Sequence, residues 1–263
     1  MSLKHLFKSM PATLVPFCFK FRYGLLRRRL RNNAARPIPE EPTRPGVRTA
    51  LHREATMNRL CYGGSFNPIH HGHLIVARAV AEARGFERVV LIPSAQPPHK
   101  PGRPDIAPAE DRLAMCRLAV ESADTSDLFE VSDLELRRHG PSYTIDTARV
   151  LTEQGWGTIH WLIGGDTLPL LSSWHQPEAL LRKIGFVIAA RPGYPIDWDR
   201  VPPAWHVFRS NVVPAPLIDV SATDIRRRVA EGRSIDYLTP PAVVQYVRER
   251  GLYAGGAHQP LSR

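Results

Sequence analysis

From Met57 onward, short apolar runs alternate with longer stretches of helical period. "RLCY" precedes an alanine-rich stretch over 73–84, and "RVVLIP" follows as a second strand-like run. A proline-rich loop leads to "AEDRLAMCRLAVES", which has helical period; then come "LFEVSDLEL", a helix from about Tyr143 to Gln154, and the apolar "TIHWLIGG". "PEALLRK" and "GFVIAARPG" make one more helix and strand pair. This order predicts an α/β fold built on a doubly wound parallel sheet. Strands of such a sheet are covered on both faces, so they read as continuous apolar runs, as "VVLI" and "FVIAA" do. Near the C-terminus, "SATDIRRRVAEGRS" has a helix start at Ser221 or Thr223, and "PPAVVQYVRERGLY" has Pro at its start and Gly251 at its end. No internal repeat interrupts the pattern, so residues 57–254 are expected to form one domain, with 255–263 as a tail.

The chain carries a net charge of +10, but the charge is not spread evenly. Residues 1–56 hold twelve Lys or Arg against three Glu, nine of the ten net charges. The body is therefore nearly neutral, and no nucleic-acid partner is expected in spite of the arginines at 27, 28, 29 and 31. Residues 1–56 are rich in Arg and Pro and lack sustained periodicity, which predicts a disordered basic extension. Its apolar stretches are broken by Pro16, Lys20 and Arg22, too short and too charged to cross a bilayer, and no membrane association is expected. It has no apolar segment followed by a small-residue cleavage site, and in being arginine-rich and acid-poor it is similar to an organelle transit segment. The alternative is a native start at Met57. Cys18, Cys61 and Cys116 form no paired motif, which fits a reducing compartment and a cytoplasmic protein.

The chemistry concentrates in "GGSFNPIHHGHL", Gly63 to Leu74, at a strand-to-helix turn. Ligands of open parallel sheets bind at the carboxyl ends of strands, where such turns lie. The glycines admit a ligand close to the backbone, and a helix start presents unpaired N–H groups to an anion. His70 and His73 are three apart and so share one side of a first helical turn, placed to donate to phosphate oxygens. A single histidine at a helix start is more often merely solvated. A metal pair would want carboxylates or cysteines nearby, and none accompany these two. No Gly-Lys-Ser/Thr follows, so the loop is not of the Walker type. Phosphate chemistry is the expected reading.

"GGSFNPIHHGH" resembles the HxGH signature of the nucleotidyltransferase superfamily, and "VSATDIR" its ISSTxIR signature. "IPSAQPPHK", "GPSYTIDT", "LIGGDTLPLLSSWHQPE" and "AARPGYP" follow in the order found in bacterial-type nicotinate-mononucleotide adenylyltransferases. The resemblance covers about residues 59–254 and leaves the extension without a counterpart. It implies a Rossmann-like nucleotidyltransferase fold and transfer of the adenylyl group of ATP to nicotinate mononucleotide. The products would be nicotinate adenine dinucleotide, a precursor of NAD, and pyrophosphate. Such a transfer needs no covalent enzyme intermediate; it needs positioning and stabilisation of charge on phosphate oxygens.

The resemblance also implies roles for individual residues. Gly64, Ser65 and Phe66 would line ATP, and His70 and His73 would bind its phosphates. Ser221 and Thr223 would cap a second helix and, with Arg226, hold the β- and γ-phosphates; Ser-x-Thr-Asp would make an ordinary cap in any case. Gly164 and Asp166 would contact the ribose or adenine, although Asp166 could be a plain helix cap. Tyr143, Thr144 and Trp174 would frame the nicotinate ring, and Lys100 would meet an anionic phosphate; Trp174 could equally be core and Lys100 solvated. Mg²⁺ is implied with ATP, held by phosphates and water, and no metal-ligand residues are assigned. Asn67 departs from the aspartate many members carry, with similar local turn bonds expected. A homo-oligomer is left open. The nearest rivals keep the fold and change the acceptor, to nicotinamide mononucleotide or phosphopantetheine; the phosphopantetheine enzymes lack the "PPHK" and "SSWHQ" segments.

Overall fold

The computed structural model describes residues 57–98, 103–121 and 127–255. The expectations for the 1–56 extension, for Lys100 and for most of the C-terminal tail lie outside the described residues.

Six strands form one parallel sheet. In chain order the elements are β1 (Arg59–Gly64), α1 (His71–Arg84), β2 (Arg88–Pro93), α2 (Ala109–Glu121), β3 (Phe129–Val131), α3 (Thr144–Glu153) and β4 (Ile159–Gly164). A 3-10 segment, Leu168–Ser173, precedes α4 (Pro177–Lys183) and β5 (Ile184–Ala190). A second, Pro203–Asn211, precedes β6 (Val212–Pro214), α5 (Ala222–Ala230) and α6 (Pro241–Glu249). The strand order is β3-β2-β1-β4-β5-β6. The chain builds outward from β1 to β3, then returns to lay β4 on the other side of β1. That reversal is the switch point at which such sheets open a crevice. The doubly wound expectation is met.

Alternate strand residues feed two cores, one on each face. Leu60, Val89, Leu91, Leu162 and Val187 pack with Ala77 and Val80 of α1, Met115 and Ala119 of α2, and Val243 and Val247 of α6. Cys61, Val90, Ile92, Trp161 and Phe186 pack with Ile145, Ala148 and Leu151 of α3, Leu180 of α4, and Trp205 and Phe208. Burying each such aliphatic or aromatic side chain contributes about 1.5–3 kcal/mol. Double-sided burial is the reason the strands read as unbroken apolar runs. Cys61 and Cys116 are free, buried core residues, and burial pushes the Cys61 thiol up to about 12.

Boundaries shift from those expected at a few places. The first helix starts at His71 rather than 73, so both His71 and His73 lie in its opening turn. "LFEVSDLEL" keeps strand structure only over Phe129–Val131, because Asp133 turns the chain by accepting from the N–H groups of Leu136 and Arg137. Ser221 is the cap of α5, its Oγ accepting from Asp224 N–H at 3.1 Å, and Gly251 follows α6 with a φ of 60°. Neither β6 nor the 3-10 segments had a sequence signature of their own. No helix among the described residues is long and apolar enough to cross a membrane.

Candidate functional site

The loop between β1 and α1 sits at the switch point. Gly63 is required there by a close approach, because any side chain would overlap the Trp161 indole on β4. Phe66 takes a left-handed backbone, φ 44°, and buries its ring against Tyr62 and His73 at centroid distances of 5.5 and 5.2 Å. The Asn67–Pro68 peptide is cis. The end of the loop is pinned from the C-terminal segment: Thr239 Oγ1 donates to Ile69 O at 2.7 Å, and His71 N–H to Leu238 O at 3.1 Å.

His70 caps α1 and His73 sits one turn in, with their rings stacked at 3.7 Å. The His70 backbone N–H donates to His73 Nδ1 at 3.2 Å. An accepting Nδ1 leaves the proton of the neutral ring on Nε2. Burial pushes the His70 imidazole down to about 4, with His71 adding to the effect. His73 is held well below its ordinary value by its packing between aromatic rings and then by His70. Both are therefore neutral near pH 7. His70 Nδ1 is buried and has no hydrogen-bond partner among the described residues. Gly72 completes the turn: a Cβ there would lie 3.0 Å from His70 Nδ1 and 3.4 Å from Val220 O, so glycine lets α1 approach the start of α5.

These histidines border a cavity of about 340 Å³ that also reaches Ser65, Phe66, Gly164, Ser221, Thr223 and Arg226. Two helix starts, α1 and α5, therefore converge on one space, and such starts favour anions. Arg226 is engaged: it donates to Asn67 O at 2.9 Å and to Asp105 Oδ2 at 2.7 Å. Arg103 grips the same carboxylate through two bonds of 2.8 and 2.9 Å. These guanidinium groups hold the Asp105 carboxyl below the usual carboxylate range, Arg103 most strongly. Arg103, Asp105 and Arg191 also line the cavity, and sequence reasoning assigned none of them. Asp166 faces a neighbouring hollow with Arg191 and Tyr194 rather than this cavity.

A second cavity, about 400 Å³, lies on the other side of the loop. It brings together Tyr143, Thr144 and Trp174, and Gly64 lines this cavity rather than the first. Trp174 packs edge-on against buried Phe186 (78° between planes), and Tyr143 stacks on His175 at 4.1 Å. Thr144 opens α3; Asp146 N–H already donates to the cap carbonyl of Tyr143 at 3.1 Å, and the N–H groups of Thr144 and Ile145 precede the first intrahelical bonds. Ser65 borders both cavities.

Two buried polar residues hold this arrangement, and the sequence pointed to only one of them, Asn67. Arg112, 1% exposed, donates to the carbonyls of Ser65 (2.7 Å), Ala107 (2.9 Å) and Ala95 (3.2 Å). Its signal was its place on the apolar stripe of α2, in step with Met115, Cys116 and Ala119. Asn67 binds beyond its own turn, contrary to expectation. Its Nδ2 donates to Asp105 O at 2.8 Å, and its Oδ1 accepts from Ala107 N–H at 2.9 Å and Tyr253 Oη at 2.8 Å. Among the described residues no three His, Cys, Asp or Glu side chains are grouped as a metal cage.

Residues 61–228 match the cytidylyltransferase-like family. A Thermomicrobium roseum protein described as a probable nicotinate-nucleotide adenylyltransferase is 44% identical over 203 residues, covering 75% of this chain and 92% of that one. One from Opitutus terrae, described in the same words, is 42% identical over 192 residues, covering 73% and 95%. Among solved structures, Plasmodium falciparum nicotinic acid mononucleotide adenylyltransferase complexed with NaAD superposes with a TM-score of 0.59 at 20% identity, over 75% of this chain and 97% of that one. At that identity the likeness is one of fold.

Proposed function

The chain belongs to the family of nicotinate-nucleotide adenylyltransferases, and we propose that its two cavities are the donor and acceptor halves of one adenylyl-transfer site. The enzyme moves the adenylyl group of ATP onto nicotinate mononucleotide, giving nicotinate adenine dinucleotide and pyrophosphate. The observation that carries the assignment of the cavities is Ser65, which lines both of them at the switch point between β1 and β4.

In this reading ATP lies in the His70–Arg226 cavity with its triphosphate between the starts of α1 and α5. The acceptor lies between Trp174 and Thr144 with its phosphate pointing toward Ser65. A phosphate oxygen of the acceptor attacks the α-phosphorus in line; a new P–O bond forms as the bond to the β-phosphate oxygen breaks and pyrophosphate leaves. The neutral His73 ring offers Nε2–H to phosphate oxygens without a proton having to be gained first. Ser221 and Thr223 present hydroxyls and the N–H groups of α5. Arg226 exchanges Asp105 for a β- or γ-phosphate oxygen, an exchange of one anionic partner for another. Preorganised donors of this kind stabilise charge that grows during the transfer.

On the acceptor side, Trp174 offers a face to the pyridine ring, and the Thr144 hydroxyl and first-turn N–H groups of α3 meet its carboxylate. Mg²⁺ would accompany the nucleotide, held by phosphates and water, and would neutralise part of the phosphate charge. The free buried cysteines support a cytoplasmic setting.

The test is a pyrophosphate-release assay with ATP and each of nicotinate mononucleotide, nicotinamide mononucleotide and phosphopantetheine. Release with nicotinate mononucleotide, and none with ATP alone, is expected. Release with phosphopantetheine but not with the mononucleotide would overturn the reading.

A further inference from the structure

The wall of the acceptor cavity contains a carboxyl group. Glu135 follows β3, is only 4% exposed, and lines that cavity beside Thr144 and Trp174. Thr147 Oγ1, in the first turn of α3, donates to Glu135 Oε1 at 2.7 Å, and the Ser142 hydroxyl bonds to the same carboxyl. Ser142 is itself tied to the loop after β2, its Oγ accepting from Gln96 N–H at 3.2 Å and its N–H donating to Gln96 O at 3.0 Å. Glu135 thus holds the segment that leads into α3, whose first residue, Thr144, lines the cavity.

This placement conflicts with the substrate. Resting on the acceptor assignment above, nicotinate mononucleotide brings a ring carboxylate to the same helix start that Glu135 occupies. The described residues lining the cavity include no Lys or Arg. Two carboxylates in one partly dry space repel strongly, and the usual resolution is that one becomes protonated. A protonated carboxyl changes from a pure acceptor into a donor, which then suits an anion.

We propose that Glu135 couples acceptor binding to protonation: it takes one proton from solvent when the ring carboxylate binds, and in that neutral form faces it as a hydrogen-bonding acid. An acceptor with a neutral ring amide lacks the negative charge that drives this uptake. Burial already moves the Glu135 carboxyl upward, against the pull of Thr147, Ser142, Arg138 and Arg112. The charged groups facing it are Arg138, on its own loop and within 3.5 Å of Thr147 Oγ1 and Tyr143 O, and Arg112 from α2. Among the described residues across the cavity, the titratable groups are the stacked Tyr143 and His175.

The experiment is calorimetric titration of the whole protein with nicotinate mononucleotide in two buffers of different ionisation enthalpy, from about pH 6 to 8, for wild type and Glu135→Gln. The glutamine keeps an oxygen for Thr147 but cannot titrate. The acceptor's own phosphate also titrates near pH 6, so the readout is the difference between the two proteins. Nicotinamide mononucleotide, which has the same phosphate and a neutral ring, is the second control. We expect wild type to take up as much as one more proton than Glu135→Gln, and only with the nicotinate compound. Its KM for that compound should rise by up to about tenfold per pH unit above the pKa of Glu135, whereas the variant's should stay level. Equal proton uptake by both proteins, or equal uptake by wild type with both acceptors, would overturn the proposal. The wild-type comparison needs no variant to fold. Pyrophosphate release with nicotinate mononucleotide, measured in parallel, separates this failure from failure of the acceptor assignment, in which neither binding nor release would be seen.

Discussion

The backbone N–H of His70 donates to Nδ1 of His73 across 3.2 Å, and this one bond decides which nitrogen of His73 is free to act. With Nδ1 accepting, the neutral ring carries its proton on Nε2. Substituting His73→Ala removes a preorganised donor and should lower turnover by about 10²- to 10³-fold. Because the ring donates while neutral, wild-type turnover should show no decline through about pH 6.5, where an ordinary imidazolium loses its proton. A steady-state pH profile checks this. A fall in kcat that tracks deprotonation near that pH would mean that the charged ring is the working form.

His70 makes a second, separable prediction through stability. Its folded value of about 4 lies below the ordinary 6.5, so between these values the unfolded chain binds more protons. Stability from this group is present above about pH 6.5, is lost as pH falls toward 4 by at most about 1.4 kcal/mol per unit, and changes no further below that. Thermal unfolding across this range should slope less steeply in His70→Asn than in wild type. Parallel slopes would show that His70 does not carry the effect.

If ATP lies as proposed, its phosphates and Asp105 compete for Arg226. The guanidinium bonds Asp105 Oδ2 at 2.7 Å, a partner it would give up to hold phosphate under the proposed placement of ATP. Asp105→Asn weakens that partner and removes a negative charge from the cavity. The KM for ATP should fall by about three- to tenfold, equivalent to roughly 1 kcal/mol. The KM for the acceptor should not change. An unchanged or raised KM for ATP would show that Asp105 positions Arg226 rather than competing for it.

Arg112 joins Ser65, Ala95 and Ala107 through one planar group. An ammonium presents its donors from a single point and cannot span three carbonyls set around a fork. Arg112→Lys should therefore cost about 2–4 kcal/mol of stability, since buried carbonyls lose their charged donor. It should also raise the KM of both substrates, because Ser65 lies between the two cavities. Urea unfolding and initial-rate kinetics measure the two effects. A stable variant with altered kinetics for one substrate only would restrict the role of Arg112 to one side.

The sequence by itself determined the sheet and the place of the chemistry. Unbroken apolar strands alternating with amphipathic helices allow few solutions other than a doubly wound sheet, and local patterns mark helix starts, so α1, α5 and their histidines and serine were legible. The resemblance implies ATP contacts for Gly64 and Asp166; Gly64 lines the cavity shared with Tyr143, Thr144 and Trp174, and Asp166 an adjoining hollow. Only the tertiary structure decided which polar groups meet across the switch point. Ser142 and Gln96, Arg112 and Ser65, and Arg226 and Asp105 are brought together by crossovers that no periodicity encodes. Helix and strand patterns report bonds between near neighbours, whereas a buried charge is defined by partners tens of residues away. Those partners exist only once the sheet has closed around them.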